Sequence, residues 1–246
     1  ITFVKIEIIK KECDFLMEHI VIGIEGLVGA GKTSISRELL NKIPNSIILH
    51  GGNLYRGIVY ALMQFKKNET NIANLESNLH NIDIKNLMDK LQVKIEIENR
   101  ESVVYVAGKK IDEEELQSPE NSLAVSIAGK TANNTHLYMF ARDLIDAYKQ
   151  KYNVIVSGRD LMKIYPDMNY HFLITASLDE RVRRKCIQYN EAEKIEEIRQ
   201  NIIKRDKLQE EAGFYKKYKN TIEVDVTECK DATEGAEKII SYIKEL

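Results

Sequence analysis

The stretch IEGLVGAGKTSISREL, residues 24–39, runs from an apolar segment through a glycine-rich turn into a segment with helical patterning. The pattern G-x-x-x-x-G-K-[ST] is met by Gly26, Gly31, Lys32 and Thr33. Upstream, HIVIGIE (19–25) reads as a buried strand; downstream, Ile35, Leu39 and Ile43 recur on one helical face. A turn of this kind between strand and helix cradles phosphate. Its glycines let successive backbone N–H groups converge with no Cβ in the way, and the helix N-terminus adds partial positive charge. Gly26, Leu27, Val28, Gly29, Ala30, Gly31, Lys32, Thr33 and Ser34 are therefore expected to wrap the phosphates of a nucleotide. Lys32 would reach the β- and γ-phosphates, and the Thr33 hydroxyl can ligate Mg2+.

The alternation continues outward from this turn. Pro44 ends the helix, SIILH (46–50) is a second strand, and Leu54, Ile58, Ala61 and Phe65 have helix spacing. VIVS (154–157), HFLI (171–174) and IEVDV (222–226) are short and β-rich, and Ala236, Ile239, Ile240 and Ile243 mark a last helix. Short apolar strands alternating with helices predict an α/β fold of the P-loop NTPase type, a mostly parallel sheet covered on both faces. The core is expected to comprise residues 17–66 and 127–246. VKIEIENRESVVYVAGKKI (93–111) reads as an antiparallel hairpin, and 67–126 as an acceptor-binding insertion beside the core whose strands are not part of its sheet. The charged helix at 191–211 has Ile195, Ile198 and Ile202 on one side.

Bulk properties narrow the function. The 246 residues carry a net charge of -2, which argues against a nucleic-acid partner, and 43% hydrophobic content suffices for a core. Cys13, Cys186 and Cys229 form no C-x-x-C pair, as expected of reduced thiols in the cytoplasm. No apolar run approaches the ~18 residues that cross a bilayer. A cytoplasmic monomer acting on small molecules is the expectation. Residues 1–16 precede Met17 and lack a signal-peptide cleavage pattern; they read as an extension upstream of a start at Met17.

A phosphate grip alone does not define a reaction. The N-K-x-D of guanine readers is absent, and no paired Asp-Glu ends a later strand as in motor ATPases. The chain offers arginine instead. Arg56 follows the second strand, Arg159 and Asp160 leave the strand at VSGRD, and Arg181, Arg183, Arg184 and Lys185 cluster in LDERVRRK. Ligands of open parallel sheets collect at the carboxyl ends of strands, so Arg56, Arg159 and Asp160 are expected to face the P-loop. His19, His50, His80, His136 and His171 are scattered and read as structural or exposed.

At these residues the chain resembles the bacterial cytidylate kinases, nucleoside monophosphate kinases of P-loop fold, over nearly its whole length from Met17. The likeness takes in GGNLYR, AGKKI, SPENSLAVSIAG, GRDLMKIYPDMNYHFLITASLDERVRRK, KRD and VDVTECKDATEGAEKIISYI. The resemblance implies that the nucleotide held by residues 26–34 is ATP and that Mg2+ is used, that Lys32, Arg159, Arg181 and Arg184 are catalytic, and that Arg181 and Arg184 close over the transferring phosphoryl group. It further implies that Arg56 and Arg159 grip the acceptor phosphate, that Asp160 and Ser126 contact the pyrimidine end, and that Arg205 contacts nucleotide. The acceptor half departs from the family: Asp-Ser-Gly becomes His50-Gly51-Gly52, Ser157 replaces a carboxylate, and Gln209 and Ala212 replace Asp and Arg. A base-reading arginine becomes Asn134 or Thr135. A CMP or dCMP kinase is the favoured reading. The alternatives are a kinase of the same fold with another acceptor, using Asp160 or Glu25 as base, and a regulatory nucleotide binder without turnover.

Overall fold

The structure is a computed structural model and describes residues 19–65, 84–116, 118, 121, 135–190 and 192–244. The N-terminal extension, the start at Met17 and Ser126 lie outside the described residues.

Strand β1 (Val21–Gly26) is buried along its whole length, as a central parallel strand must be when helices cover both faces. It pairs in parallel with β6 (Asn153–Ser157) and β7 (Tyr170–Thr175), while β2 (Ser46–His50) flanks β6 and β8 (Thr221–Asp225) flanks β7. Alternation along the strands splits the core in two. Ile22, Ile24, Ile48, Ile155, Phe172 and Ile174 pack with Ile35 and Leu39 of α1 (Lys32–Lys42), Ile43 at its C-cap, and Ala236 and Ile239 of α9 (Ala232–Ile240). Val21, Ile47, Val154 and Val156 face the other way, onto Ile145 of α5 (Thr135–Lys149) and Leu161 of α6 (Leu161–Ile164).

Local chemistry sets the helix ends. In α7 (Leu178–Tyr189) the Ser177 side chain accepts from the Glu180 N–H, and in α9 the Asp231 side chain accepts from the Glu234 N–H. Helix α8 (Ile195–Glu211) follows a 3-10 turn at Ala192–Lys194 and buries Ile198 and Ile202 against Val28 and Val182. Ile195 does not join that face; it is 49% exposed.

The hairpin corrects the sequence expectation. β3 (Val93–Glu98) and β4 (Glu101–Val106) form the antiparallel pair, β5 (Lys109–Ile111) adds to β4, and β4 also pairs in parallel with β2 at Ile48 and Glu101. Among the described residues the sheet order is β3-β4-β2-β6-β1-β7-β8. Without β4, the edge of β2 would leave ladder donors unpaired; instead Ile48 N–H donates to Arg100 O at 2.8 Å and His50 N–H to Ser102 Oγ at 2.8 Å. Arg100, itself in left-handed backbone (φ 69°), ties the hairpin down by donating to Ser46 O at 2.9 Å and to the carbonyl of Leu40.

Behind the hairpin, α2 (Gly51–Phe65), α3 (Ile84–Leu91) and α4 (Glu113–Leu116) supply Leu54, Ile58, Met88, Leu91 and Leu116 to a core with Val104, Val106 and Ile111. Helix α2 approaches β4 closely because residue 57 is glycine: a Cβ there would stand 2.5 Å from Val104 Cγ1. Valine is stiff at χ1 and cannot swing away. Gly57→Ala is expected to destabilise the fold by about 1–3 kcal/mol, as overpacking does, and Val104→Ala in the same chain to recover part of it. Urea unfolding of the three variants measures both.

Candidate active site

The P-loop has the geometry its glycines permit. Gly29 (φ 80°) and Gly31 (φ 92°) occupy left-handed backbone, and Gly31 is the N-cap of α1. Leu27 N–H is anchored to Ile174 O at 3.1 Å and Ala30 N–H to Leu27 O at 3.2 Å. Gly26 allows the loop to leave the sheet, since a Cβ there would lie 2.8 Å from Ile174 O.

Four cations surround this loop. Lys32 opens α1, Arg56 lies on α2, Arg159 follows β6 and Arg205 lies on α8. They are close enough to perturb one another. The Lys32 ammonium is pushed down to about 8, first by burial and then by Arg159, with Arg205 and Lys185 adding to the effect and Glu25 opposing it. Arg56 is lowered by burial and then by Arg159 and Arg205. Arg159 is lowered chiefly by burial, with Arg205 adding to it and Tyr215, Glu25 and Asp206 opposing. Cations that depress each other form a local surplus of positive charge, the electrostatic requirement of a site for two anions.

The arginines of α7 are used differently. Arg181 is buried (6% exposed); it donates from Nε to Ala176 O at 3.0 Å and from Nη1 to Val28 O at 3.2 Å and Asp206 Oδ2 at 2.5 Å. Arg184 donates from Nη1 to Ala30 O at 3.0 Å, from Nη2 to Val226 O at 2.7 Å and from Nε to Glu180 Oε1 at 2.7 Å. Both therefore hold P-loop carbonyls from outside, and the loop's glycines let α7 come near: a Cβ on Gly29 would lie 3.3 Å from Arg181 Cβ. Their bonded N–H groups are taken up by backbone carbonyls and by the carboxylates of Asp206 and Glu180.

Two carboxylates near the cleft have fixed partners. Buried Glu25, the residue before Gly26, accepts from Leu161 N–H at 2.7 Å and lies 3.4 Å from His171 Nε2. Asp160 (φ 55°) accepts from Tyr138 OH at 2.6 Å and pairs with Lys163 at 3.0 Å. Ser157 is buried at the end of β6, and Asn134 lies outside the described residues.

A cleft of about 220 Å³ lies apart from the P-loop, between α1, α2 and the hairpin, lined by Arg37, His50, Glu101, Lys110 and Glu113 among others. Its cations are paired and carboxylates outnumber them: Glu101 accepts from Arg37 at 3.0 Å and contacts His50 at 2.8 Å, Lys110 pairs with Glu98 at 2.6 Å, and Asp112 and Glu113 add negative charge. Internal pairing leaves little pull on a phosphate. The cationic surplus lies around Lys32 and not in this cleft.

The donor set fits a nucleotide-borne Mg2+. Among the described residues no cluster of three or more His, Cys, Asp or Glu side chains could cage a metal. Mg2+ commonly keeps its waters and takes phosphate oxygens with one or two protein ligands, a role open to Thr33.

The structure thus brings Lys32, Arg56, Arg159 and Arg205 together and turns Arg181 and Arg184 toward the loop's carbonyls. Sequence reasoning missed Asp206 as the partner of Arg181, and Phe214, whose ring carries the Arg159 guanidinium at 5.6 Å from its centroid. No local pattern signals either pairing, because each joins elements distant in the chain.

A parallel sheet with a P-loop at its central strand and a cationic cleft beside it defines a P-loop nucleotide kinase, a phosphotransferase. The cytidylate kinase family model matches residues 22–245, and the chain belongs to that family. It is 30% identical to the cytidylate kinase of Aquifex aeolicus over 91% of this chain and 96% of the relative. With the cytidylate kinase of Halalkalibacterium halodurans it shares 24% identity over 93% of this chain and 99% of the relative. With that of Clostridioides difficile it shares 27% over 92% and 99%.

Removing Arg181 would strip Asp206, whose Oδ1 is already buried without a hydrogen-bond partner, of its ion pair and leave it only the longer-range charge of Arg159. Arg181→Ala is expected to lower unfolding free energy by about 3 kcal/mol or more, measured by denaturant titration. The Lys32 ammonium loses its proton as pH rises through about 8, and with it the charge that attracts phosphate. Affinity of the free enzyme for an ATP analogue is therefore expected to fall between pH 7 and 9.5, and Lys32→Arg to flatten that fall, as calorimetry across the range would register.

Proposed function

We propose that this chain transfers the γ-phosphoryl group of ATP to CMP or dCMP, with Lys32, Arg56, Arg159 and Arg205 as its electrostatic machinery. The reading rests on one observation above the rest, the buried cations Lys32, Arg56 and Arg159 within electrostatic range of Arg205.

The chemistry asks for little else. A nucleoside monophosphate presents an anionic oxygen as nucleophile, so no general base is needed. That oxygen attacks the γ-phosphorus, the bond to the β–γ bridging oxygen breaks, and ADP and the nucleoside diphosphate result. The barrier lies in pressing two anions together in line, which positioned cations lower. Loop amides and Lys32 hold the donor. Arg56 and Arg159 hold the acceptor phosphate and Arg205 balances charge between them. Mg2+, ligated by Thr33 and phosphate oxygens, supplies further neutralisation when bound. Arg181 and Arg184 act one step removed, by keeping the carbonyls of Val28 and Ala30 turned away from the cradle. Asp160 and Ser126 are assigned to the pyrimidine end, where the altered Gln209 and Ala212 tune acceptor preference. Unpaired Cys186 and Cys229 suit a reducing cytoplasm, and no described helix is long and apolar enough to cross a membrane.

ADP release from ATP with CMP, dCMP, UMP, AMP or no acceptor, for wild type and Lys32→Ala, tests the reading. Turnover restricted to cytidine nucleotides and lost in Lys32→Ala is expected; equal turnover without acceptor overturns it. Arg159→Ala is expected to lower kcat/KM for CMP by at least ~100-fold, about 2.7 kcal/mol of transition-state stabilisation.

A further inference from the structure

Arg159 has an unusual neighbour for a phosphate-binding residue. Among the described residues it has no ion-pair partner, yet its guanidinium is held over the ring of Phe214, 5.6 Å from the centroid. The turn that delivers this ring is built for the purpose. Helix α8 ends in a complete Schellman motif: Gly213 at φ 81° donates to Glu210 O at 2.9 Å, and Phe214 N–H donates to Gln209 O at 2.9 Å. The chain reverses there and brings Phe214 beneath Arg159. Each partner of the contact is followed by a non-glycine residue in left-handed backbone, Asp160 (φ 55°) after Arg159 and Tyr215 (φ 62°) after Phe214. For a bulky aromatic residue this conformation is a true outlier and persists only where surrounding contacts enforce it. Tyr215 has such a contact, its hydroxyl donating to Gln209 Oε1 from a half-buried position.

The electrostatics explain why an aromatic ring belongs there. A carboxylate would fix Arg159 as firmly, but it would accept the same N–H donors that a phosphate needs and would cancel the charge. The quadrupole of a ring attracts the cation without accepting those N–H bonds and without neutralising it. We infer that Phe214, fastened by Tyr215, is a positioning residue that presents Arg159 to the phosphate of the acceptor nucleotide. The inference rests on the assignment of Arg159 to the acceptor in the preceding subsection.

The test compares wild type, F214A, F214L, F214Y, R159A and F214A/R159A by calorimetry with CMP and by steady-state kinetics. F214A and F214L are each expected to weaken CMP binding about tenfold, with KM rising in proportion, while kcat and affinity for an ATP analogue stay within about twofold. F214Y, which keeps the ring, is expected to bind CMP as wild type does, and F214A to add nothing in the R159A background. F214L with normal CMP affinity, or an undiminished effect of F214A without Arg159, overturns the inference. Wild type that binds neither CMP nor dCMP overturns the acceptor assignment with it; normal wild-type binding with no effect of F214A removes Phe214 alone.

Discussion

Repulsion between like charges is the constraint from which the rest of this molecule follows. Two phosphate groups must approach to bonding distance, and the cations that permit this must first be held near one another with no substrate between them. Lys32, Arg56, Arg159 and Arg205 are in that condition; Lys32, Arg56 and Arg159 are lowered first by burial and then by neighbouring cations. Lys32, Arg56 and Arg205 are carried by three different helices, and Arg159 by the bend that follows β6. Neutralising them with nearby carboxylates would stabilise the empty protein and weaken the site, a trade-off common at functional centres.

Arg181 of α7 and Arg159 after β6 show how identical side chains serve opposite ends. Arg181 has a carboxylate and two carbonyls around it and is a structural rivet; Arg159 has a ring beneath it and is left with its charge unspent. Burial alone would not separate these roles. What separates them is the kind of group that each guanidinium meets.

Much of this architecture is legible in residues 19–50, where strand, glycine turn and helix follow one another and every signal is local. The capped starts of α7 and α9 are equally readable, since Ser177 and Glu180, or Asp231 and Glu234, lie within one turn. Legibility fails where a residue's meaning depends on a distant partner. The charge alternation of VKIEIE resembles a solvent-facing hairpin, and only the bonds from Arg100 and Ser102 to β2 and the end of α1 make β4 part of the sheet. The arginines of LDERVRRK could be read as phosphate ligands because the motif does not contain Asp206, Val28 or Val226. Phe214 carried no signal at all: one aromatic residue after a glycine says nothing until the chain reversal places it.

The Arg100 side chain has a mechanical corollary. It fastens the β3–β4 turn to the last carbonyls of α1 and the first residues of β2, while Arg37 of α1 grips Glu101 beside it. A hairpin pinned at that corner is a lever with its fulcrum on the helix that begins at Lys32. Beyond the hairpin, at the end of α4, Leu116 offers its carbonyl to Arg56 at 3.2 Å. The anchor of the hairpin and Lys32 therefore share one helix.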